Sequence, residues 1–231
     1  MILVLASELN DDARDAVTNW PQQEAVLLTP ADFFCRGWRA TNEKVDDWSF
    51  VASGQQGSIR SVHGVVTLLP RILARELFDI QPEDRPYAAA EATAFALFFL
   101  SKIPCSVVNR PTPDCLTGPS WRPEQWMRAC FEARIRTKQS KRTNRALPKE
   151  LVTPHLKSVT VLDGKCIEGS SEGCLSGVLQ LARLAEVTFL RVCFTEENGQ
   201  TFFHRAEVTP DVSDARIREA LSEYFSVSNC L

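Results

Sequence analysis

The chain has 231 residues, of which 44% are hydrophobic and 24% are charged, so it holds enough apolar material for one large or two small globular domains. The formal net charge of −3 excludes recognition of a partner through the overall electric field of the protein. The most apolar segment, residues 87–103, contains Glu91 and is shorter than the roughly 20 apolar residues of a membrane span, so we predict a buried helix and no membrane partner.

The cysteine pattern indicates a reducing compartment. The eight cysteines show no CxxC motif and no close pairing, which disfavours both a zinc site and a disulfide framework. The N-terminal segment MILVLASELNDDARD has too short an apolar run for a signal peptide and lacks a basic leader. We therefore expect a cytoplasmic protein with free, mostly buried thiols.

The first half of the chain predicts an α/β arrangement. Short apolar strands at 2–6 and 25–29 enclose a helix that Asn10 or Asp11 caps, which is the order of a strand–helix–strand unit. Segments 48–53 and 58–69 alternate polar and apolar residues on either side of SGQQG, and predict a hairpin or two adjacent strands. The apolar helix and a short strand at 105–109 follow.

The second half predicts hairpins and helices. Pro123 opens an amphipathic helix, and a basic, polar stretch at 136–154 indicates a linker or exposed loop. Two hairpins follow, with turns at Asp163-Gly164 and Asn198-Gly199, and a helix lies between them. A final amphipathic helix closes the chain.

The sequence offers little support for a site that binds phosphate or nucleic acid. The phosphate-binding patterns GxGxxG and GxxxxGK[ST] are absent, so no dinucleotide or P-loop cofactor is expected. A basic patch suggests contact with a nucleic acid, such as tRNA, or with an acidic peptide. No aromatic residues are interleaved to stack bases, and a solvated loop is the favoured interpretation. The patch consists of Arg134, Arg136, Lys138, Lys141, Arg142 and Arg145.

The stretch FFHRAEVTPDVSD, residues 202–214, is the remaining candidate for chemistry. It predicts a strand that stops at Thr209-Pro210 and carries Glu207 close to its end. A lone carboxylate is weak support for a magnesium site, which takes one or two carboxylates together with substrate phosphates. The aspartates that follow, Asp211 and Asp214, are interpreted as caps of the final helix.

Several motifs, in chain order, resemble those of ATP-grasp ligases, most of all the branch that modifies ribosomally made peptides. The resemblance covers roughly residues 1–135 and 155–225. The matching segments are Gly64–Pro70, a helix with Glu91, Asn109–Pro111, the helix start Pro123–Ala129, the strand pair SVTVLDGK and the closing hairpin RVCFTEENGQTFFHRAEVTP.

The resemblance also implies what the chain lacks. In the family, a lid sub-domain between the tryptophan-containing helix and the SVTV strand clamps the adenine and supplies two lysines to the phosphates. Here residues 136–154 alone fill that interval, which is too short for a four-stranded sheet. Where the family pattern has an aspartate and an asparagine as metal ligands, this chain has Cys193 and Thr209. Glu207 is therefore interpreted as a remnant of the metal site, and neither a metal nor a cofactor is expected.

We accordingly predict an α/β fold in three parts. Residues 1–120 form a pre-ATP-grasp-like open sheet, mostly parallel, with flanking helices. Residues 121–154 form a helix and a basic linker in place of the lid. Residues 155–231 form an α+β remnant of the ATP-grasp core.

The expected function is non-catalytic binding of a peptide or small-molecule substrate, or of a partner enzyme, in a biosynthetic pathway. One alternative is a pared-down ATP-dependent carboxylate–amine ligase or transferase that a partner chain completes, and a less favoured one is a nucleic-acid contact. A second copy of the chain is also an expected partner, since loss of the lid would expose an apolar face. The ligand surface is placed in the crevice between the two parts, at Asn109, Arg110, Arg122, Arg205 and Glu207.

Overall fold

The chain forms two compact units in a computed structural model. The structure describes residues 1–41, 44–138, 156–169 and 172–228. Unit 1 comprises Met1–Ser120 and Val208–Leu231, and unit 2 comprises Trp121–Glu207. Within the described ranges, no helix combines the length and the apolar character that crossing a bilayer requires.

Unit 1 is built on a parallel sheet. Its strands are β1 (Ile2–Leu5), β2 (Ala25–Leu28), β3 (Ser49–Ala52), β4 (Gln55–Ser58), β5 (Gly64–Thr67) and β6 (Ser106–Val108). The parallel sheet has the order β2-β1-β5-β6, whereas β3 and β4 form a separate antiparallel pair. Every residue of β1 and β5 is buried, as in central strands of a sheet that is covered on both faces.

The segment predicted as one strand at 58–69 is divided between two sheets. β4 ends at Ser58, a 3₁₀ turn occupies Ile59–Ser61, and β5 begins at Gly64. The hydroxyl of Ser58 accepts the Arg60 N–H at the start of this turn, which breaks the strand. A hairpin does follow β3, with its turn at Ser53-Gly54, but its second strand is formed mainly by the predicted turn SGQQG. The predicted pairing of 48–53 with 58–69 is therefore wrong, since β5 pairs with β1 in the parallel sheet.

The helices of the chain are α1 (Asp11–Thr18), α2 (Arg85–Lys102), α3 (Pro123–Glu132), α4 (Glu172–Leu184) and α5 (Ala215–Ser228). Of the two candidate caps of α1, the side chain of Asn10 accepts the N–H of Ala13 at 3.0 Å. Asp214 caps α5, as predicted, by accepting the Arg216 N–H at 2.9 Å. α2 is the predicted apolar helix, but only one of its faces is buried, and Tyr87 is 72% exposed. Aromatic rings of its second half, among them Phe99, pack against Trp48 and Trp38.

The final helix, α5, packs within unit 1, whereas the sequence-based division placed it with the third part. The ring of Phe225 is fully buried and lies over the backbone of β5, where a Cβ on Gly64 would come within 2.3 Å of the ring. Trp20 Nε1 also donates to Ser222 Oγ at 2.8 Å. The glycine leaves a slot for the apolar face of α5, and this contact assigns Val208–Leu231 to unit 1.

Unit 2 is built on an antiparallel sheet. Its strands are β7 (Lys157–Leu162), β8 (Lys165–Glu168), β9 (Phe189–Glu197) and β10 (Gln200–Glu207), in the order β10-β9-β7-β8. Both predicted hairpin turns are confirmed, since Asp163-Gly164 and Asn198-Gly199 have positive φ at both positions. α4 packs against β7 and β9, and α3 packs against α4 and β10.

The predicted linker begins as part of the unit 2 sheet. The carbonyl oxygen of Arg136 accepts the Phe203 N–H at 2.8 Å, and Thr137 forms a parallel bridge with Phe203. Residues 136–137 therefore cover part of the free edge of β10. The rest of the predicted linker, residues 139–154, lies outside the described residues.

Candidate functional site

A β-bulge in β10 determines which way Arg205 and Glu207 point. Phe203 and Arg205 pair with consecutive residues of β9, so His204 is the extra residue of the strand. Strict alternation would place Phe203, Arg205 and Glu207 on one face of the sheet. The bulge instead turns Arg205 and Glu207 onto the face opposite to Phe203.

Four polar residues form a row across that face of the unit 2 sheet. Glu207 pairs with Arg191 of β9, Arg191 pairs with Thr160 of β7, and Thr160 pairs with Glu168 of β8. Directly paired residues of neighbouring antiparallel strands share a face. We call these four residues the polar row. Cys193, two residues along β9 from Arg191, lies on the same face and pairs with Arg205.

Both carboxylates of the polar row are paired with arginines. Arg205 Nε donates to Glu207 Oε1 at 2.6 Å, and Arg191 Nη2 lies 3.8 Å from Glu168 Oε2. Between them, the Thr160 hydroxyl is fully buried and has no hydrogen-bond partner within the described part of the chain. The face therefore carries its charges as neutralised pairs.

The thiol of Cys193 is held in its neutral form. Burial raises the pKa of Cys193, and the Glu207 carboxylate raises it further, whereas Arg205 and Arg191 act in the opposite direction. The side chain is buried, with 4% of its surface exposed. Because the thiolate is the form that binds metals, a neutral thiol at this position is a poor ligand.

Magnesium does not fit the donor set of the polar row. The backbones of β10 and β8, which carry Glu207 and Glu168, are three strand spacings apart, about 14 Å. A magnesium ion held by both carboxylates would have to displace both arginines, since Arg205 engages Glu207 and Arg191 lies beside Glu168. Among the residues that the structure describes, no group of three or more His, Cys, Asp or Glu side chains is placed to hold a metal.

The residues predicted to line a ligand crevice are divided between the units. In unit 1, Asn109 is buried and its Nδ2 donates to the Val208 carbonyl at 2.7 Å, while Arg110 Nη2 donates to the Cys105 carbonyl at 3.3 Å. Asn109 thus fastens residue 208 to the end of β6. Arg122, Arg205 and Glu207 belong to unit 2. The crevice itself stays a prediction.

The predicted basic patch is described in part. Arg134, Arg136 and Lys138 are exposed in unit 2, directly after α3, whereas Lys141, Arg142 and Arg145 lie outside the described residues. Lys138 is paired with Glu197 and lies over the Phe202 ring at 5.6 Å from its centroid. In the described part of the patch, Lys138 is thus paired with a carboxylate, whereas Arg134 and Arg136 form no ion pair with a described residue.

Sequence reasoning missed a cleft at the carboxyl ends of β1 and β5. The chain order reverses between these two strands, which is the usual place for a ligand in an open α/β sheet. The cleft has a volume of about 690 Å³ and includes Ser7, Leu69 and Arg75. Asp11 and Asp12 begin α1 at its wall, so their charges oppose a phosphate there, in agreement with the missing glycine-rich loop.

The cysteines differ in exposure, and we expect their rates of alkylation to differ accordingly. We expect iodoacetamide at neutral pH to modify exposed Cys35 and Cys166 in the native chain and to spare Cys105, Cys130 and Cys193. Burial raises the pKa of Cys105 to about 11 and that of Cys130 to about 12, so about one Cys105 thiol in ten thousand is ionised at pH 7.

Peptide mass spectrometry before and after unfolding in guanidinium chloride measures this selectivity. All five thiols should react in the unfolded chain. Native-state modification of Cys193 as fast as that of Cys35 would contradict the neutral, enclosed thiol described for the polar face.

No family model matches the chain, and no curated protein is significantly similar to it in sequence. Solved structures do match. A RiPP-associated ATP-grasp ligase from Chryseobacterium gregarium, in complex with ADP and a leader and core peptide, has a TM-score of 0.64 at 10% identity, covering 96% of each chain. The ATP-grasp ligase PsnB, with minimal precursor, Mg and ADP, has a TM-score of 0.65 at 12% identity, covering 97% of this chain and 98% of PsnB.

A third match is the macrocyclase MdnC from Microcystis aeruginosa, bound with its precursor peptide MdnA. It has a TM-score of 0.64 at 8% identity and covers 95% of this chain and 98% of MdnC. The chain therefore has the fold of RiPP-associated ATP-grasp ligases. The predicted resemblance and the predicted α/β fold class are confirmed at the level of the fold.

Proposed function

We propose that this chain is a non-catalytic protein with the ATP-grasp fold, which binds a peptide beside an enzyme of a peptide-biosynthesis pathway. The fold itself supports a role in peptide modification only by analogy, because one fold hosts many activities. Support for the function therefore comes from the side chains on the polar face of unit 2.

The observation that carries the proposal is the neutralised charge of this face. Its two carboxylates are each engaged by an arginine, and the strands that carry them are three strand spacings apart. The position that the family pattern gives to an aspartate holds the buried, neutral thiol of Cys193. Magnesium-bound phosphates need several oxygen ligands on one side of a cleft, and these residues do not supply them.

The peptide partner is supported by the solved relatives. The structures of the C. gregarium ligase, PsnB and MdnC each contain a leader, core or precursor peptide. We infer that this chain, which shares their fold, also has a surface that recognises a peptide. Such a protein would present the peptide to a partner enzyme or stabilise that enzyme.

Magnesium-ATP binding tests the non-catalytic assignment. We expect no saturable rise in the melting temperature of the chain when magnesium-ATP is added, because arginines engage both carboxylates of the polar row and a neutral thiol stands at Cys193. The matched comparison is Cys193→Asp, which places a carboxylate diagonally across from Glu207. Titration calorimetry should show that this variant binds Mg²⁺ better than the unmodified chain does.

A saturable shift with the unmodified chain would overturn the proposal. Nucleotide hydrolysis that appears only when a second chain is added would also overturn it, and would favour a pared-down ligase completed by a partner. Both measurements use the chain alone or with a co-purified protein, and neither depends on knowing the peptide.

A further inference from the structure

A cavity of about 840 Å³ lies on the helix side of the unit 2 sheet. It is formed where the end of α3, the start of α4 and the tip of the β9–β10 hairpin meet. Phe194 contributes to its wall and lies on the opposite sheet face from its neighbour Cys193. The cavity is therefore separate from the polar row.

The cavity carries positive charge that the described residues do not neutralise. Arg134 and Arg136 line it, and they also line an adjoining depression of about 590 Å³. Neither guanidinium forms an ion pair with any residue in the described ranges. The acid in the lining, Glu132, is engaged by Arg128 at 3.3 Å.

Arg134 occupies a backbone position that favours glycine. Its φ is 56°, in the left-handed region, directly after α3. The hydrogen bonds from Arg134 N to Phe131 O and from Ile135 N to Cys130 O are those of a Schellman motif, in which this residue is usually glycine. An arginine held there at a conformational cost points to a use for its side chain.

Arg136 is held in place by the sheet. Its carbonyl accepts the Phe203 N–H at 2.8 Å, so the backbone that carries the guanidinium is an extension of the sheet beyond β10. Two guanidinium groups on fixed backbone, two residues apart, are preorganised for carboxylates, which they bind in bidentate geometry. Phe131, which is 83% exposed, offers apolar surface at the adjoining depression.

We infer that this cavity binds a peptide segment rich in aspartate or glutamate, with Arg134 and Arg136 as its carboxylate-binding residues. The inference rests on the proposed function only for the choice of a peptide as ligand, and it specifies the chemistry of that peptide. It does not depend on the fate of the nucleotide site, so a positive magnesium-ATP result would leave it standing.

The test uses a fluorescein-labelled peptide rich in glutamate, with the glutamine analogue of the same sequence as its partner probe. Fluorescence anisotropy should show that the chain binds the glutamate peptide and does not bind the glutamine peptide. Arg134→Gly should weaken that binding about tenfold, as expected for loss of a charge-assisted pair. The same variant should raise the melting temperature by about 2–4 °C, because glycine relieves the left-handed strain.

Two further variants separate a binding role from a structural one. Arg134→Lys keeps the charge but not the planar guanidinium, so it should retain part of the affinity without the gain in stability. Arg183→Ala removes an exposed arginine from the last turn of α4, outside the cavity, and should leave binding unchanged.

The opposite results would overturn the inference. They are equal affinity for the glutamate and glutamine peptides, unchanged binding by Arg134→Gly, or an equal loss in Arg183→Ala. Displacement of the peptide by a single-stranded oligonucleotide at lower concentration than by unlabelled peptide would also overturn it, in favour of a nucleic-acid site. Unchanged binding by Arg134→Gly together with higher stability would show that the strained arginine has no role in recognition.

Discussion

Replacement of Phe225 by alanine should lower the free energy of unfolding by about 3–5 kcal/mol. The ring is fully buried and lies against the backbone at Gly64, so no neighbouring side chain at that position can move in to fill the space. The loss is a large share of the 5–15 kcal/mol that stabilises a typical domain. The contact is also what assigns the C-terminal helix to unit 1.

Guanidinium unfolding monitored by circular dichroism measures the effect, with Val227→Ala as the matched control on the same helix. Val227 is 60% exposed, so its truncation should change stability by less than about 0.5 kcal/mol. Limited proteolysis should cut the Phe225→Ala chain within residues 208–228 first. Equal stability of the two variants would mean that α5 does not hold unit 1 together.

Replacement of Asp32 by alanine should destabilise unit 1 by a similar amount, about 3–5 kcal/mol, through lost hydrogen bonds. The Asp32 carboxylate is 5% exposed and accepts from Thr29 N at 2.8 Å, Thr29 Oγ1 at 2.9 Å, Ser53 N at 3.2 Å and Gly54 N at 3.0 Å. It joins the residue after β2 to the turn between β3 and β4. Alanine would leave these donors without their acceptor in a largely buried site.

Thermal unfolding of a short series checks the prediction. Asp32→Asn keeps one acceptor oxygen and should cost less than Asp32→Ala. Asp47→Ala is the control, because its side chain is 50% exposed and lies 3.7 Å from Arg60 in a solvent-screened pair. If Asp32→Ala and Asp47→Ala melt at the same temperature, the buried carboxylate does not hold the β3–β4 turn.

Local signals made much of the fold predictable. The apolar runs at β1 and β2 with a capped helix between them identified a strand–helix–strand unit, because burial on both faces needs continuous apolar sequence. Asp163-Gly164 and Asn198-Gly199 identified two hairpins, because residues of this kind adopt the positive φ that tight turns require. These features depend on residues close together in the chain.

The candidate site was less predictable. Glu207 and Cys193 were identified from a motif, but Arg191, Thr160 and Glu168 belong to no motif, and their alignment in the polar row follows from strand register. The hairpin turn at Asn198-Gly199 fixes part of that register. The bulge at His204 then reverses the faces that alternation predicts, and no signal in FFHRAEV marks it.

The sequence by itself determined most of the strands and the two Asx-Gly turns, because these follow from neighbouring residues. The tertiary structure alone decided that α5 joins unit 1 through Phe225 and Gly64. It also decided that Arg205 neutralises Glu207, and that Arg134 stands in a strained position at a cavity. Each of these depends on contacts between residues or backbone segments whose pairing only the folded chain establishes.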